Sequence, residues 1–424
     1  MKKTTANQYS RSIYIIGMLF FVFGFITWLN AVLIPYLQII CELTRFESYL
    51  VTFSFFIAYM LASLPAGYLL KKTGYKNGMA IGLLLVALGA LLFIPAGTTR
   101  VFGLFLTGLF IQGAGIALLQ TASNPYVTLL GPQESAAKRI SIMGVCNVIA
   151  GMLAPVVLGS ITLDDVDTLT ADIDTMTAAS RSAILDGLAG RIVIPYLAIV
   201  VVLGLLAIVI LRSGLPEARE PDTDPGMENN GERTSVFHYP HLLLGAVALF
   251  LYVGVEVIAG NTVIGYAEYA GYRLETAKYF ASFNLLGMLI GYLVGIFTVP
   301  RFITQAGALM TSALSALCFL LLAMVFNGPA SVVCVTLLGF SNAMIWPTIW
   351  PLAIRNLGKH TRIGSALLVM GITGGAVMPL LFAWLVDGFN HKAAYWIAFP
   401  CYLYIFYYSV RGHKSGLVKT KLTI

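Results

Sequence analysis

The chain has 424 residues, 58% of them hydrophobic and only 11% charged, with a mean hydropathy of +0.85; soluble domains run to roughly 45–50% apolar and about 25% charged. The apolar residues gather in runs close to or beyond the ~20 that a helix needs to cross ~30 Å of hydrocarbon, which excludes a soluble core and, because the runs are long and do not alternate, a transmembrane β-barrel. The net charge of +7 would suggest a nucleic-acid partner in a soluble chain; in a polytopic membrane protein it has a topological origin, and no nucleic acid is expected.

In chain order, the apolar runs predict an all-α fold of twelve transmembrane helices, at about 13–40, 48–70, 79–96, 102–130, 140–161, 192–211, 241–266, 277–298, 307–326, 331–354, 363–386 and 394–411. The polar, basic opening MKKTTANQYSRS reads as the cytoplasmic start of the first span, with no signal-peptide cleavage site. With the N-terminus inside, only Arg45, Arg100, Arg181, Arg191, Arg273, Lys278 and Lys392 of the 26 basic residues fall outside. That asymmetry predicts both termini in the cytoplasm and a multi-pass protein of the inner membrane. Two connections are long. Residues 162–191, carrying Asp164, Asp165, Asp167, Asp172, Asp174 and Asp186, read as a solvated external cap over the first bundle. Residues 212–240 are rich in Pro, Gly, Asn and charge, the composition of a flexible linker. The expected organisation is a six-helix bundle over 1–211, a cytoplasmic linker over 212–240, and a second six-helix bundle with a basic tail over 241–424.

The halves share a pattern that supports duplication of a six-helix unit. Leu130-Gly131 is followed by Lys138-Arg139 and then by AGMLAP at 150–155; Leu357-Gly358 is followed by Arg362 and then by GGAVMP at 374–379. Small residues form stripes on the second span (Ser54, Ala58, Ala62, Ala66) and on the eighth (Gly287, Gly291, Gly295), where each helix can approach a neighbour closely, packing or sliding between the halves. Five scattered cysteines show no disulfide or metal spacing.

Glu256 is the one carboxylate with several apolar residues on either side, in the stretch 249–266. An ionised carboxylate at the centre of a bilayer helix costs about 2.5–3.5 kcal/mol on insertion scales, so such a residue usually faces a cavity and serves ion or substrate movement; the plain alternative is an uncharged acid bonded to a neighbouring helix. The spans hold no nucleophile with a base, metal cluster or carboxylate pair, and no phosphate-cradling Gly-Lys-Ser/Thr, so the chain is read as neither an enzyme nor an ATP-driven pump. They do hold amides and indoles: Thr27, Trp28 and Asn30 on the first span, Gln120 and Asn124 on one face of the fourth, Asn147 on the fifth, Asn284 on the eighth, and Asn342, Trp346 and Trp350 at intervals of four on the tenth. Amides donate and accept as sugar hydroxyls require, and an indole offers a flat apolar face with one donor. Each amide can equally make an interhelical hydrogen bond of around 0.6 kcal/mol, and each indole can pack or anchor at an interface. Asn261 follows Glu256 by five residues and shares no face with it unless the helix breaks near Gly260.

At this point the chain resembles the sugar:cation symporters of the fucose–galactose–glucose group within the major facilitator superfamily. The resemblance is carried by FGFITWLNAVLIP at 23–35, AGYLLKKTGYKNG at 66–78, LQTASNPYVTLLG at 119–131, YVGVEVIAG at 252–260 and GFSNAMIWPTIWPLAIRNLG at 339–358. It implies two six-helix bundles related by a pseudo-two-fold, alternating access, and a sugar cavity between the halves. Fucose–proton symporters carry acids at the positions of Ala31 and Gln120; the glucose/galactose branch has Gln at the position of Gln120 and Glu at that of Glu256, and includes sodium-driven members. Asn147 matches an amide that contacts sugar in fucose-type members.

The resulting expectation is a monomeric transporter in the lipid bilayer that takes up a glucose- or galactose-like hexose. Its substrate site is Asn147, Gln120, Asn124, Asn30, Trp28, Asn284, Asn342 and Trp346, and Glu256 is the coupling residue and Na⁺ ligand. No cofactor is implied beyond Na⁺ as the coupling ion. The alternatives are an H⁺-coupled fucose or N-acetylhexosamine symporter, a multidrug exporter, and a sugar sensor that does not transport.

Overall fold

The computed structural model describes residues 2–162, 176–215 and 235–417, and among these the secondary structure is helical, without strands. Ten segments are long and apolar enough to cross a membrane. One of them, Leu50–Thr99, holds two crossings, because Gly74 (φ 76°, ψ 174°) breaks the helix within the Gly67–Gly78 motif. The helices from His391–Ala394 to Ala398–Val410 supply the last crossing, and the count reaches twelve. The second span opens on a reciprocal cap: Thr44 Oγ1 accepts from the Glu47 N–H at 3.3 Å, and Glu47 Oε2 accepts from the Thr44 N–H at 2.7 Å.

Two compact units form, Met1–Ser123 with Cys146–Glu217, and Asn124–Val145 with Ala218–Ile424. The end of the fourth span and the start of the fifth thus pack with the second unit. The Gln133 amide donates to the Pro351 carbonyl at 2.8 Å, Gln305 donates to the Gln133 carbonyl, and Ser141 Oγ approaches Met344 Sδ at 3.3 Å. Ala137, Val299, Ala308 and Met344 bury one another beside them.

Arg139 explains why the connection between spans four and five holds its shape. Its buried guanidinium donates to the carbonyls of Val127 (2.8 Å), Thr128 (2.7 Å) and Pro132 (3.1 Å) and to Ser135 Oγ (2.7 Å). The Val127 and Thr128 carbonyls belong to the last turn of the helix Phe102–Leu129, where intrahelical donors run out and positive charge is favoured. Arg139→Ala leaves several of them unpaired, at about 1–3 kcal/mol for each one buried. The variant is therefore expected to lose folded protein on mild heating in detergent, measured by the fraction that stays monodisperse.

The eighth-span stripe packs inside the second unit. A Cβ on Gly291 would stand 2.6 Å from both the Phe340 carbonyl oxygen and Ala343 Cβ, so this helix and the tenth meet backbone to backbone. Gly113 likewise leaves room for Ala58 of the second-span stripe inside the first unit. Where their contacts are described, each stripe serves a crossing within its own unit.

The connection over 162–191 also departs, in its described part, from a solvated cap. Ala178–Gly190 is a helix capped by Thr177, and Leu185, Leu188, Ala189 and Ile192 bury one face of that segment at helical spacing. Arg100 pairs with Asp186 at 2.9 Å, Arg181 pairs with Glu42, and the Tyr36 hydroxyl donates to the Leu188 carbonyl at 2.7 Å. Asp164, Asp165, Asp167, Asp172 and Asp174 lie outside the described residues, as do 216–234 of the linker.

Candidate functional site

In the first unit, the site residues gather where spans one and five cross. Gly24 meets the backbone of Asn147, and a Cβ on Gly151, one turn further along, would stand 2.5 Å from Cδ1 of Trp28. Trp28 and Asn147 are therefore held on one crossing, both half-buried. The Asn147 amide reaches the Phe20 carbonyl at 3.4 Å, a long bond that leaves most of its capacity to other partners. Thr27 is bonded to buried Tyr59 of the second span. On the fourth span Gln120 is half-buried, and Asn124 one turn later, where the chain passes into the second unit, is fully buried. The side chain of Asn30 lies outside the described residues.

In the second unit, Glu256 sits midway along the unbroken helix Pro240–Tyr269. Val255, Ile258 and Ala259 around it are buried, whereas Glu256 keeps part of its surface open. Tyr252, one turn earlier, donates to Glu256 Oε1 at 2.7 Å. Tyr292 of the eighth span and Tyr402 of the twelfth stand close enough to interact with its charge. The helix continues regularly through Gly260, and Asn261 is exposed.

The tenth span is interrupted, running as Pro329–Thr336, Leu338–Asn342 and Ile345–Ala353. Asn342, at the interruption, accepts from the Tyr402 hydroxyl at 2.9 Å. Trp346 is half-buried; it stacks on Trp350 (5.5 Å between centroids, 26° between planes) and meets Tyr252 at 6.4 Å. Trp350 itself is fully buried and packs. Asn284 is buried and donates to the Thr336 carbonyl at 3.1 Å, the interhelical bond that its plain reading anticipates. Among the candidate residues of this unit, Glu256 and Trp346 are therefore half-buried, while Asn342 and Asn284 are buried. Tyr252, Tyr292 and Tyr402 are additions that the amide and indole pattern did not single out; the i, i+4 spacing of Tyr252 and Glu256 was the one local signal.

A separate cavity of about 770 Å³ opens in the second unit, with Gln133, Glu134, Arg355 and His413 among its walls and none of the candidate site residues. Burial holds the His413 imidazole below its ordinary pKa, against the opposing bond to the Tyr408 carbonyl.

Residues 16–373 match the profile of the Major Facilitator Superfamily. The chain belongs to that superfamily. It is 34% identical over 415 residues to a glucose/galactose transporter of Brucella abortus, covering 97% of this chain and 96% of the relative. It is 31% identical to the L-fucose-proton symporter of Escherichia coli, covering 92% and 90% respectively. The crystal structure of the E. coli fucose:proton symporter superposes with a TM-score of 0.83 at 29% identity, over 95% of this chain and 98% of that one. Within the superfamily the chain falls in the fucose–galactose–glucose group of sugar:cation symporters, and it is a multi-pass sugar transporter, not an enzyme.

Proposed function

We propose that this facilitator takes up a glucose- or galactose-like hexose by alternating access, coupled to Na⁺ through Glu256. The observation that carries the reading is Glu256 itself, a half-buried acid deep in a span, bonded to Tyr252, whose ring meets the half-buried indole of Trp346. A carboxylate in such a place is costly and usually serves ion or substrate movement. Trp28, Gln120 and Asn147 of the first unit supply the matching amides and indole, all with open surface. Relatives named as glucose/galactose transporters support the hexose. The basic residues of the connections support an inner-membrane setting with both termini inside.

Sodium suits a site of oxygen ligands. The competing reading is a proton, which a lone carboxyl can carry through each cycle; the Tyr252 hydroxyl, donating to Glu256, favours the ionised form instead. Proteoliposomes loaded with an outward-to-inward sodium gradient are expected to accumulate labelled glucose, and to keep doing so when a protonophore collapses any pH gradient. Uptake that follows the pH gradient and ignores sodium would sink the sodium assignment in favour of the proton. A competition panel of galactose, fucose, mannose and N-acetylglucosamine against labelled glucose then ranks the sugars.

A further inference from the structure

We infer that Tyr252 is a positioning residue that ties Glu256 to the indole of Trp346, so that a cation arriving at the carboxylate changes the surface offered to the sugar. The inference rests on the proposed coupling role of Glu256 and goes beyond it, since a coupling residue does not by itself say how the sugar site learns of the ion.

The geometry is a short chain of contacts. The Tyr252 hydroxyl donates to Glu256 Oε1 at 2.7 Å, and the same phenol ring meets Trp346 at 6.4 Å with a 50° tilt. Tyr252 is 1% exposed, so its hydroxyl has no bulk water to turn to. Trp346 is also stacked on Trp350, which is 0% exposed. The interruption between Asn342 and Ile345 lies immediately before it in the tenth span, and Asn342 there is tied to Tyr402. The indole thus meets both a buried indole and a phenol whose hydrogen bond depends on the state of one carboxylate.

The energetics give that dependence a direction. A hydroxyl donating to an ionised carboxylate makes a bond about twice as strong as one between neutral groups. A cation seated on Glu256 takes that advantage away and leaves the hydroxyl a weaker bond of the neutral kind. The phenol is then held less tightly against the carboxylate and can relax against the ring it meets. Only a differential interaction of this kind can couple two ligands, and the coupling acts equally in both directions.

The test measures the affinity of the purified full-length protein for labelled glucose, with sodium replaced by choline at fixed pH and then with pH varied at fixed sodium. In the wild type the favoured cation is expected to tighten glucose binding by about 5–150-fold, the usual range for coupled sites. Tyr252→Phe keeps the ring and removes the hydroxyl, and is expected to bring that ratio close to one. A wild-type ratio in Tyr252→Phe overturns the inference. If Tyr252→Phe binds no glucose, tryptophan fluorescence is the readout: a cation-induced change that is lost in Trp346→Phe should also be lost in Tyr252→Phe, and its persistence there overturns the inference. Glu256→Gln separates the two levels. When Glu256→Gln is insensitive to cation and Tyr252→Phe is still sensitive, the Tyr252 inference alone fails. When Glu256→Gln remains sensitive, the reading of Glu256 fails and takes the inference with it. A wild type that ignores both cations overturns both.

Discussion

Glu256→Gln is expected to abolish uphill accumulation of sugar while leaving detectable sugar–sugar exchange. Glutamine keeps the size of the side chain, and its carbonyl oxygen can still accept from the Tyr252 hydroxyl that now reaches Glu256 at 2.7 Å. What it removes is the charge. A single positive charge moving down ~100 mV carries about 2.3 kcal/mol, which at 1.36 kcal/mol per decade is roughly fiftyfold accumulation for one cation per sugar. In the variant the limit falls to equal concentrations on the two sides, because no other carboxylate described in the spans lies away from their ends; Glu268 and Asp387 sit at the last turns of theirs. Counterflow and accumulation measured on the same proteoliposomes separate the two functions. Accumulation in Glu256→Gln comparable to wild type would return Glu256 to a packing role.

That one residue was legible in the sequence because its signal is local: a charge inside an apolar run stands out without knowledge of any partner. The twelve crossings are legible for the same reason, being set by hydrophobic length. The packing signals were half legible. The stripe Gly287, Gly291, Gly295 announces a close approach, but only the fold says that the neighbour is the tenth span of the same unit. Leu185, Leu188, Ala189 and Ile192 carry a helical period that the nearby aspartates masked. Partner choice was not legible at all. Asn147 and Asn284 are identical amides on equivalent-looking helices, yet Asn147 is half-buried with a single long bond and Asn284 is buried on the Thr336 carbonyl. Trp346 and Trp350 differ by one turn, and one keeps open surface while the other has none. Tyr292 and Tyr402 lie within electrostatic range of Glu256 from two other helices, and no spacing rule connects positions so far apart in the chain.

Gly374→Ala is the substitution expected to damage the protein most without touching a polar group. A Cβ there would collide with the carbonyl of Phe250 on the seventh span, and nearby Gly254 leaves room in turn for Met378 of the eleventh. The first unit repeats the arrangement between spans one and five, where Gly24 faces the carbonyl of Asn147 and Gly151 faces the indole of Trp28. In both units, then, a reciprocal pair of glycines lets the first and fifth helices cross at backbone distance, which is what a duplicated six-helix unit should preserve. The kind of wall decides the size of the effect. Phe250 presents backbone, which has no rotamer to give, so the helices must separate; at Gly254 the wall is Met378 Cγ and, at 2.6 Å, its Cβ, of which only the Cγ can swing aside. Overpacking of this sort typically costs about 1–3 kcal/mol, and Gly374→Ala belongs at the upper end. Because Phe250 lies two residues before Tyr252, separation also shifts the phenol and the carboxylate, so glucose binding should weaken along with stability. Gly159, in the fifth span, has nothing within 4 Å of its added Cβ and serves as the control. Thermal aggregation in detergent is expected to rank Gly374→Ala as least stable, Gly254→Ala intermediate and Gly159→Ala level with wild type. A Gly374→Ala protein as stable as Gly159→Ala would mean that the crossing of spans seven and eleven is not as close as described.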